Sequence, residues 1–143
     1  MSNARRIRIL HLEDDPADRE LTLLALAEGG LDADIRPASD GVEFEAALHD
    51  GEYDLVLSDY SVPGLDGVGA LALTRERFPD VPFVLISGTL DEDSLIRLVR
   101  GGVTDYVVKH RLARVVPAVH RALLEATERR HRLEVQRSLD EER

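Results

Sequence analysis

Five strand-like segments alternate with five helix-like ones along this chain, and few folds accommodate that rhythm. Strands are expected at residues 6–12, 32–37, 55–58, 83–86 and 105–108. Helices are expected at residues 16–28, 41–49, 66–77, 91–100 and from 112 onward. The helix stops are marked by Gly29-Gly30, Gly51, Pro79 and Gly101-Gly102, residues that commonly end helices. Alternation of this length predicts an α/β fold, a parallel sheet with helices on both faces. Right-handed crossovers make it doubly wound. Strand order 2-1-3-4-5 places a ligand site at the carboxyl ends of strands one and three, where the order reverses.

The strand ends carry unusual chemistry. Leu55-Val56-Leu57-Ser58-Asp59 is a short apolar run that delivers one carboxylate, and the chain then turns through Pro63, Gly64 and Gly67. A buried strand needs no charge for its own stability, so Asp59 points to chemistry, although Asp is also a common turn former. Glu13-Asp14-Asp15 follows the first apolar run. Three adjacent carboxylates there repel one another and are costly unless paired, and a hard cation such as Mg²⁺ with oxygen ligands is the natural remedy. Helix capping competes with that reading, because Asp14 or Asp15 precedes Pro16, and one of them can cap while the others bind metal. Ser87 ends the fourth strand, where its hydroxyl can meet a phosphoryl oxygen or simply form a turn before Gly88. Lys109 ends the fifth, as an offset to the carboxylates or as a solvated edge residue.

Taken together, these positions resemble the receiver domain of two-component response regulators, over roughly residues 5–125. The resemblance implies a flavodoxin-like, CheY-like five-stranded fold. Glu13 and Asp14 match the family's Mg²⁺-binding acidic pair, and Asp59 matches its phosphoacceptor. Ser87 matches the Ser/Thr after strand four, Lys109 the Lys after strand five, and Pro63 and Gly67 the loop after the acceptor. Tyr106 falls where the family often has an aromatic that rotates on phosphorylation, and it reads equally as a half-buried strand residue. The implied chemistry is phosphoryl transfer from a phosphohistidine on a sensor kinase or phosphotransfer protein to Asp59. Mg²⁺ is then held by Asp14, Asp59 and the backbone carbonyl of Ser61, with Glu13 acting through water. Lys109 and Ser87 contact phosphoryl oxygens. The chain is thus expected to be a switch and not a metabolic enzyme, read out on residues 91–124.

Some residues depart from the family. His110 follows Lys109 where the family usually has Pro, so a trans peptide is expected there. Ser87-Gly88 replaces the commoner Thr-Ala, and Gly88 loosens the loop. Ser61 and Thr89 are small and neutral, which leaves the water route to an acyl phosphate little shielded. The Ser-Gly-Thr and Lys-His-Arg-Leu variants resemble receivers attached to sensory or kinase modules.

Composition narrows the rest. The 143 residues suit one domain, and the absence of cysteine excludes disulfides and thiolate metal sites. The formal charge of −10 disfavours direct nucleic-acid binding. No apolar run is long enough to insert in a membrane, and a cytoplasmic location is expected. The receiver is expected to span residues 1–125. Residues 126–143 extend the last helix as a linker or as the basis of a homodimer, or form a frayed tail. Val116, Val119, Leu123, Ala126 and Leu133 fall near a heptad seam that Arg130 interrupts. With no output domain apparent, the chain reads as a single-domain regulator or as the N-terminal receiver of a longer sensory or kinase protein. A phosphorylation-independent interaction module and a Mg²⁺-dependent aspartyl phosphohydrolase are the competing classes. The second expects an Asp-x-Asp pair after strand one and a cap insertion, neither of which is seen.

Overall fold

A computed structural model describes residues 6–88 and 90–142. Strand β1 (Ile7–Leu12) leads into helix α1 (Pro16–Glu28), β2 (Ala33–Ala38) and α2 (Gly41–Asp50). Strand β3 (Leu55–Asp59) is followed by a two-stranded hairpin, β4 (Ser61–Val62) and β5 (Leu65–Asp66), then α3 (Gly67–Arg77). The chain continues through β6 (Phe83–Ser87), α4 (Glu92–Arg100), β7 (Asp105–Val108), a 3₁₀ turn (Lys109–Arg114) and α5 (Val115–Glu141). The main sheet is parallel, in the order β2-β1-β3-β6-β7. Without the hairpin, that is the expected 2-1-3-4-5.

Alternation along the central strands builds a core on each face, because successive side chains point to opposite sides of a sheet. Leu10, Leu12, Val56, Phe83 and Leu85 pack with Phe44 of α2, Leu71 of α3 and Leu98 of α4. Ile9, Leu55, Leu57, Val84 and Ile86 pack with Leu26 of α1 and with Val115 and Val119 of α5. The middle strands are buried on both sides and therefore read as continuous apolar runs.

Several boundaries differ from the sequence reading, each for a local reason. Asp66 is the cap of α3, its carboxylate accepting from the Gly69 amide at 2.7 Å, so the helix starts one residue later than expected. The unforeseen hairpin turns through Pro63 and Gly64, whose φ of +79° suits the third residue of a type II turn. The last helix begins at Val115 and not at Leu112, because the 3₁₀ turn leaves helical geometry at Arg111. No described peptide bond is cis, in keeping with the expectation at His110. The heptad seam is also used differently: Val119 is fully buried against the sheet and Val116 and Leu123 are half-buried, leaving only Leu133 of that set exposed. Beyond Ala126, the rest of α5 is exposed.

Candidate functional site

Parallel register brings the strand ends level. Leu12 pairs with Ser58, Asp59 with Ile86, and Ser87 with Val108. Glu13, Asp59, Ser87 and Lys109 therefore emerge along one rim of the sheet from four adjacent strands. One carboxylate oxygen from each of Glu13, Asp14 and Asp59 lies within 4.8 Å of the others. Asp15 does not join them. Its side chain accepts from the Ala17 amide at 2.9 Å and caps α1, so capping and clustering are divided among the three acids.

The three clustered acids differ in exposure. Glu13 is buried at 3% exposure, Asp59 is half-buried and Asp14 is exposed. Burial raises the Glu13 pKa to about 7; the charge of Asp59 adds to the shift, while the Asp15 amide and the Lys109 ammonium oppose it. Asp59 is held by both oxygens: Oδ1 accepts from the Tyr60 amide at 2.7 Å and Oδ2 from Lys109 Nζ at 3.2 Å. Lys109 Nζ also lies 2.9 Å from Asp18 Oδ2 and 3.4 Å from Glu13 Oε1. Burial disfavours the ammonium, but these carboxylates outweigh it and raise the Lys109 pKa above its ordinary value. Just below the rim, His11 on β1 is 2% exposed and its Nδ1 has no partner among the described residues. Burial, reinforced by the charges of Arg19 and Lys109, lowers its pKa to about 4 and keeps it neutral.

Ser87 is buried at the end of β6 and followed by the exposed Gly88. Tyr106 is half-buried on β7, and its hydroxyl donates to the Gly88 carbonyl at 2.6 Å. Ser61 opens the hairpin with an exposed side chain, paired in register with Asp66. Thr89 lies outside the described residues. Gly67 packs so tightly that a Cβ there would sit 2.9 Å from both Tyr60 Cδ2 and Leu85 Cδ1, consistent with glycine after the acceptor loop.

Sequence reasoning missed two contributors. Asp18 in the first turn of α1 reaches the lysine, and the sequence around it carries no signal of that pairing. Tyr60 spans from the acceptor to α4, its hydroxyl donating to the buried Ser94 at 2.9 Å.

A family model for the response regulator receiver domain matches residues 9–120. The chain belongs to that family. It is similar to the transcriptional regulatory protein CseB of Streptomyces avermitilis, with 34% identity over 85% of this chain and 50% of CseB. It is also similar to the chemotaxis protein CheY of Pseudomonas aeruginosa, with 29% identity over 77% of this chain and 90% of CheY. Among solved structures it resembles the receiver domain of the sensor histidine kinase PA1611 of P. aeruginosa, whose active-site cleft coordinates a magnesium ion. That likeness has a TM-score of 0.72 at 22% identity, covers 83% of this chain and 98% of the other, and bears on the fold. The chain spans half the length of CseB, so the transcriptional regulatory role in that name is not carried over. This chain is thus a CheY-like receiver domain of two-component response regulators. Among the described residues no helix is long and apolar enough to cross a membrane.

Proposed function

We propose that this receiver accepts a phosphoryl group on Asp59 from a phosphohistidine of a sensor kinase or phosphotransfer protein and relays the change by protein contact. One observation carries the reading: Asp59 stands between two further carboxylates and the Lys109 ammonium, on the rim where the four strand ends meet. A carboxylate oxygen of Asp59 attacks phosphorus, the phosphorus–nitrogen bond breaks, and its electron pair leaves with the imidazole. Water later cleaves the acyl phosphate to inorganic phosphate and the free carboxylate, so the switch resets without turning over a metabolite.

The donor set fits Mg²⁺. Glu13, Asp14 and Asp59 offer hard oxygen ligands in one cluster, the donor type that Mg²⁺ takes. Glu13, Asp14, Asp59 and the Ser61 carbonyl would hold the ion, Glu13 through water. When bound, the ion neutralises charge on the phosphoryl oxygens, the main need of a loose phosphoryl transfer. The protein's own part is orientation. Lys109 places its ammonium beside the attacked carboxylate, and the Ser87 hydroxyl donates to a second phosphoryl oxygen. Drawing Ser87 inward moves Gly88, whose carbonyl holds the Tyr106 hydroxyl, so Tyr106 follows.

The readout surface proposed is the face of residues 91–124, where Leu95, Ile96, Val99 and Leu124 are exposed. The helix beyond residue 125 is proposed as a linker or homodimer element, since Leu133, Val135 and Leu139 are also exposed on it. A cytoplasmic location is proposed with the kinase partner.

Intact mass after incubation with a small acyl-phosphate donor tests the reading. One added phosphoryl group is expected, dependent on Mg²⁺ and absent in Asp59→Asn. No addition in the wild type at times short enough to precede hydrolysis would overturn it.

A further inference from the structure

Lys109 is the only lysine in the chain; the other cationic side chains are arginine or histidine. Its nearest partner is not the acceptor. Nζ lies 2.9 Å from Asp18, against 3.2 Å from Asp59 and 3.4 Å from Glu13. An ammonium has three N–H donors and here faces three carboxylates. Two of these belong to the buried side of the rim, with side-chain exposures of 4% for Glu13 and 12% for Asp59. Asp18, at 36%, closes the arrangement from the outside. This differs from a solvated helix ion pair, in which both ends face water and the interaction is worth little.

The backbone gives Lys109 little support of its own. Ladder pairing of β7 ends with Val108 opposite Ser87. The chain then enters a 3₁₀ turn that has no side-chain cap and departs from helical geometry at Arg111. His110, at the place where the family usually has Pro, is exposed. The long lysine stem must therefore be aimed by what its head touches. Glu13 and Asp59 attract the head inward but are the groups whose surroundings change during transfer. Asp18, fixed in the first turn of α1, is neither the acceptor nor one of the three clustered acids.

We propose that Asp18 is a positioning residue, which tethers the chain's single ammonium across the strand ends so that it stays over Asp59 while a phosphoryl group arrives. When a phosphoryl oxygen takes one of the lysine donors, the Asp18 bond remains and keeps the stem in place. The functional half of this inference rests on Asp59 being the acceptor; the tether itself does not.

The test has two readouts. In ¹⁵N-labelled protein, Lys109 is the sole source of a lysine side-chain ammonium signal, so no assignment is needed. The wild type is expected to show one cross-peak with slowed proton exchange. Asp18→Ala is expected to speed that exchange about tenfold or broaden the peak away, and Asp18→Glu to restore it. With a small acyl-phosphate donor and saturating Mg²⁺, Asp18→Ala is expected to lower the maximal phosphorylation rate about tenfold. Half-saturation by donor and by Mg²⁺ should stay within about twofold, and Asp18→Glu should recover most of the rate. The backbone spectrum checks that α1 still folds in each variant. An unchanged ammonium signal in Asp18→Ala would overturn the tether. A tenfold weaker response to Mg²⁺ would overturn it in favour of Asp18 as a metal ligand. If the wild type takes no phosphoryl group while its ammonium signal still depends on Asp18, the acceptor reading falls and the tether stands.

Discussion

Glu13→Gln should make the metal-free protein more stable at alkaline pH and leave it unchanged in acid. The wild-type carboxyl is 3% exposed and faces Asp59, so the folded state favours its protonated form and raises its pKa from 4.5 to about 7. The sign follows from proton binding. Between those values the folded protein holds a proton that the unfolded chain has released, so stability falls as pH rises. The contribution is fully present below about pH 4.5 and lost above about pH 7. At about 1.4 kcal/mol per pH unit, the gap amounts to about 3 kcal/mol. Glutamine has nearly the same shape and can still accept from the Asp15 amide, which lies 3.2 Å from Glu13 Oε2, without carrying the charge. Urea unfolding with a chelator present, run at about pH 4 and about pH 8, measures the difference. The variant should match the wild type in acid and exceed it by about 2–3 kcal/mol in base. Equal offsets at both pH values, or none at about pH 8, would refute the argument that burial and Asp59 together penalise the charged carboxyl.

Other perturbations follow from the same geometry. Mg²⁺ should raise the thermal midpoint by relieving the clustered charge, with a gain of about 2.7 kcal/mol at a hundredfold excess over Kd. Asp14→Asn should remove most of that gain, as read by thermal unfolding across a Mg²⁺ titration. Gly29→Ala should destabilise by about 1–3 kcal/mol in urea unfolding through overpacking. Its Cβ would fall 2.4 Å from Val116 Cγ2, where α1 ends against α5. Tyr60→Phe should cost about 1 kcal/mol, because it removes the hydroxyl donor to buried Ser94. The same variant should speed amide hydrogen exchange in α4, and unchanged exchange there would mean that Tyr60 does not brace that helix.

Much of the architecture was legible because local signals and tertiary demands agree. The central strands are apolar on both faces, so Leu55, Val56, Leu57 and the segment from Phe83 to Ile86 could be read as buried strands without ambiguity. Glycine stops and the Pro16 start marked helix ends, and the strand-end residues stood out because their chemistry contradicts their apolar surroundings. For the acidic trio, residue chemistry left open which acid caps, and only the resemblance singled out Glu13 and Asp14; that Asp15 is the cap depends on the backbone there. The hairpin was missed because strands of two residues leave no periodicity to detect. The 3₁₀ turn was missed because Leu112, Ala113 and Arg114 favour α-helix as much as the residues that follow them. Asp18 was invisible for a different reason. Its partner lies 91 positions away in sequence, and nothing local to α1 hints at the lysine.

The last helix begins one short turn after the lysine and is clamped at its root by Val115, Ala118, Val119 and Ala122. Beyond Ala126 its described residues are exposed. That makes α5 a lever whose fulcrum sits beside the acidic rim. At 1.5 Å per residue its 27 residues reach about 40 Å, so a tilt of about 5° at the root carries the tip through about 3–4 Å. An adjustment too small to rearrange the core becomes, at the other end, a displacement comparable to the width of a side chain.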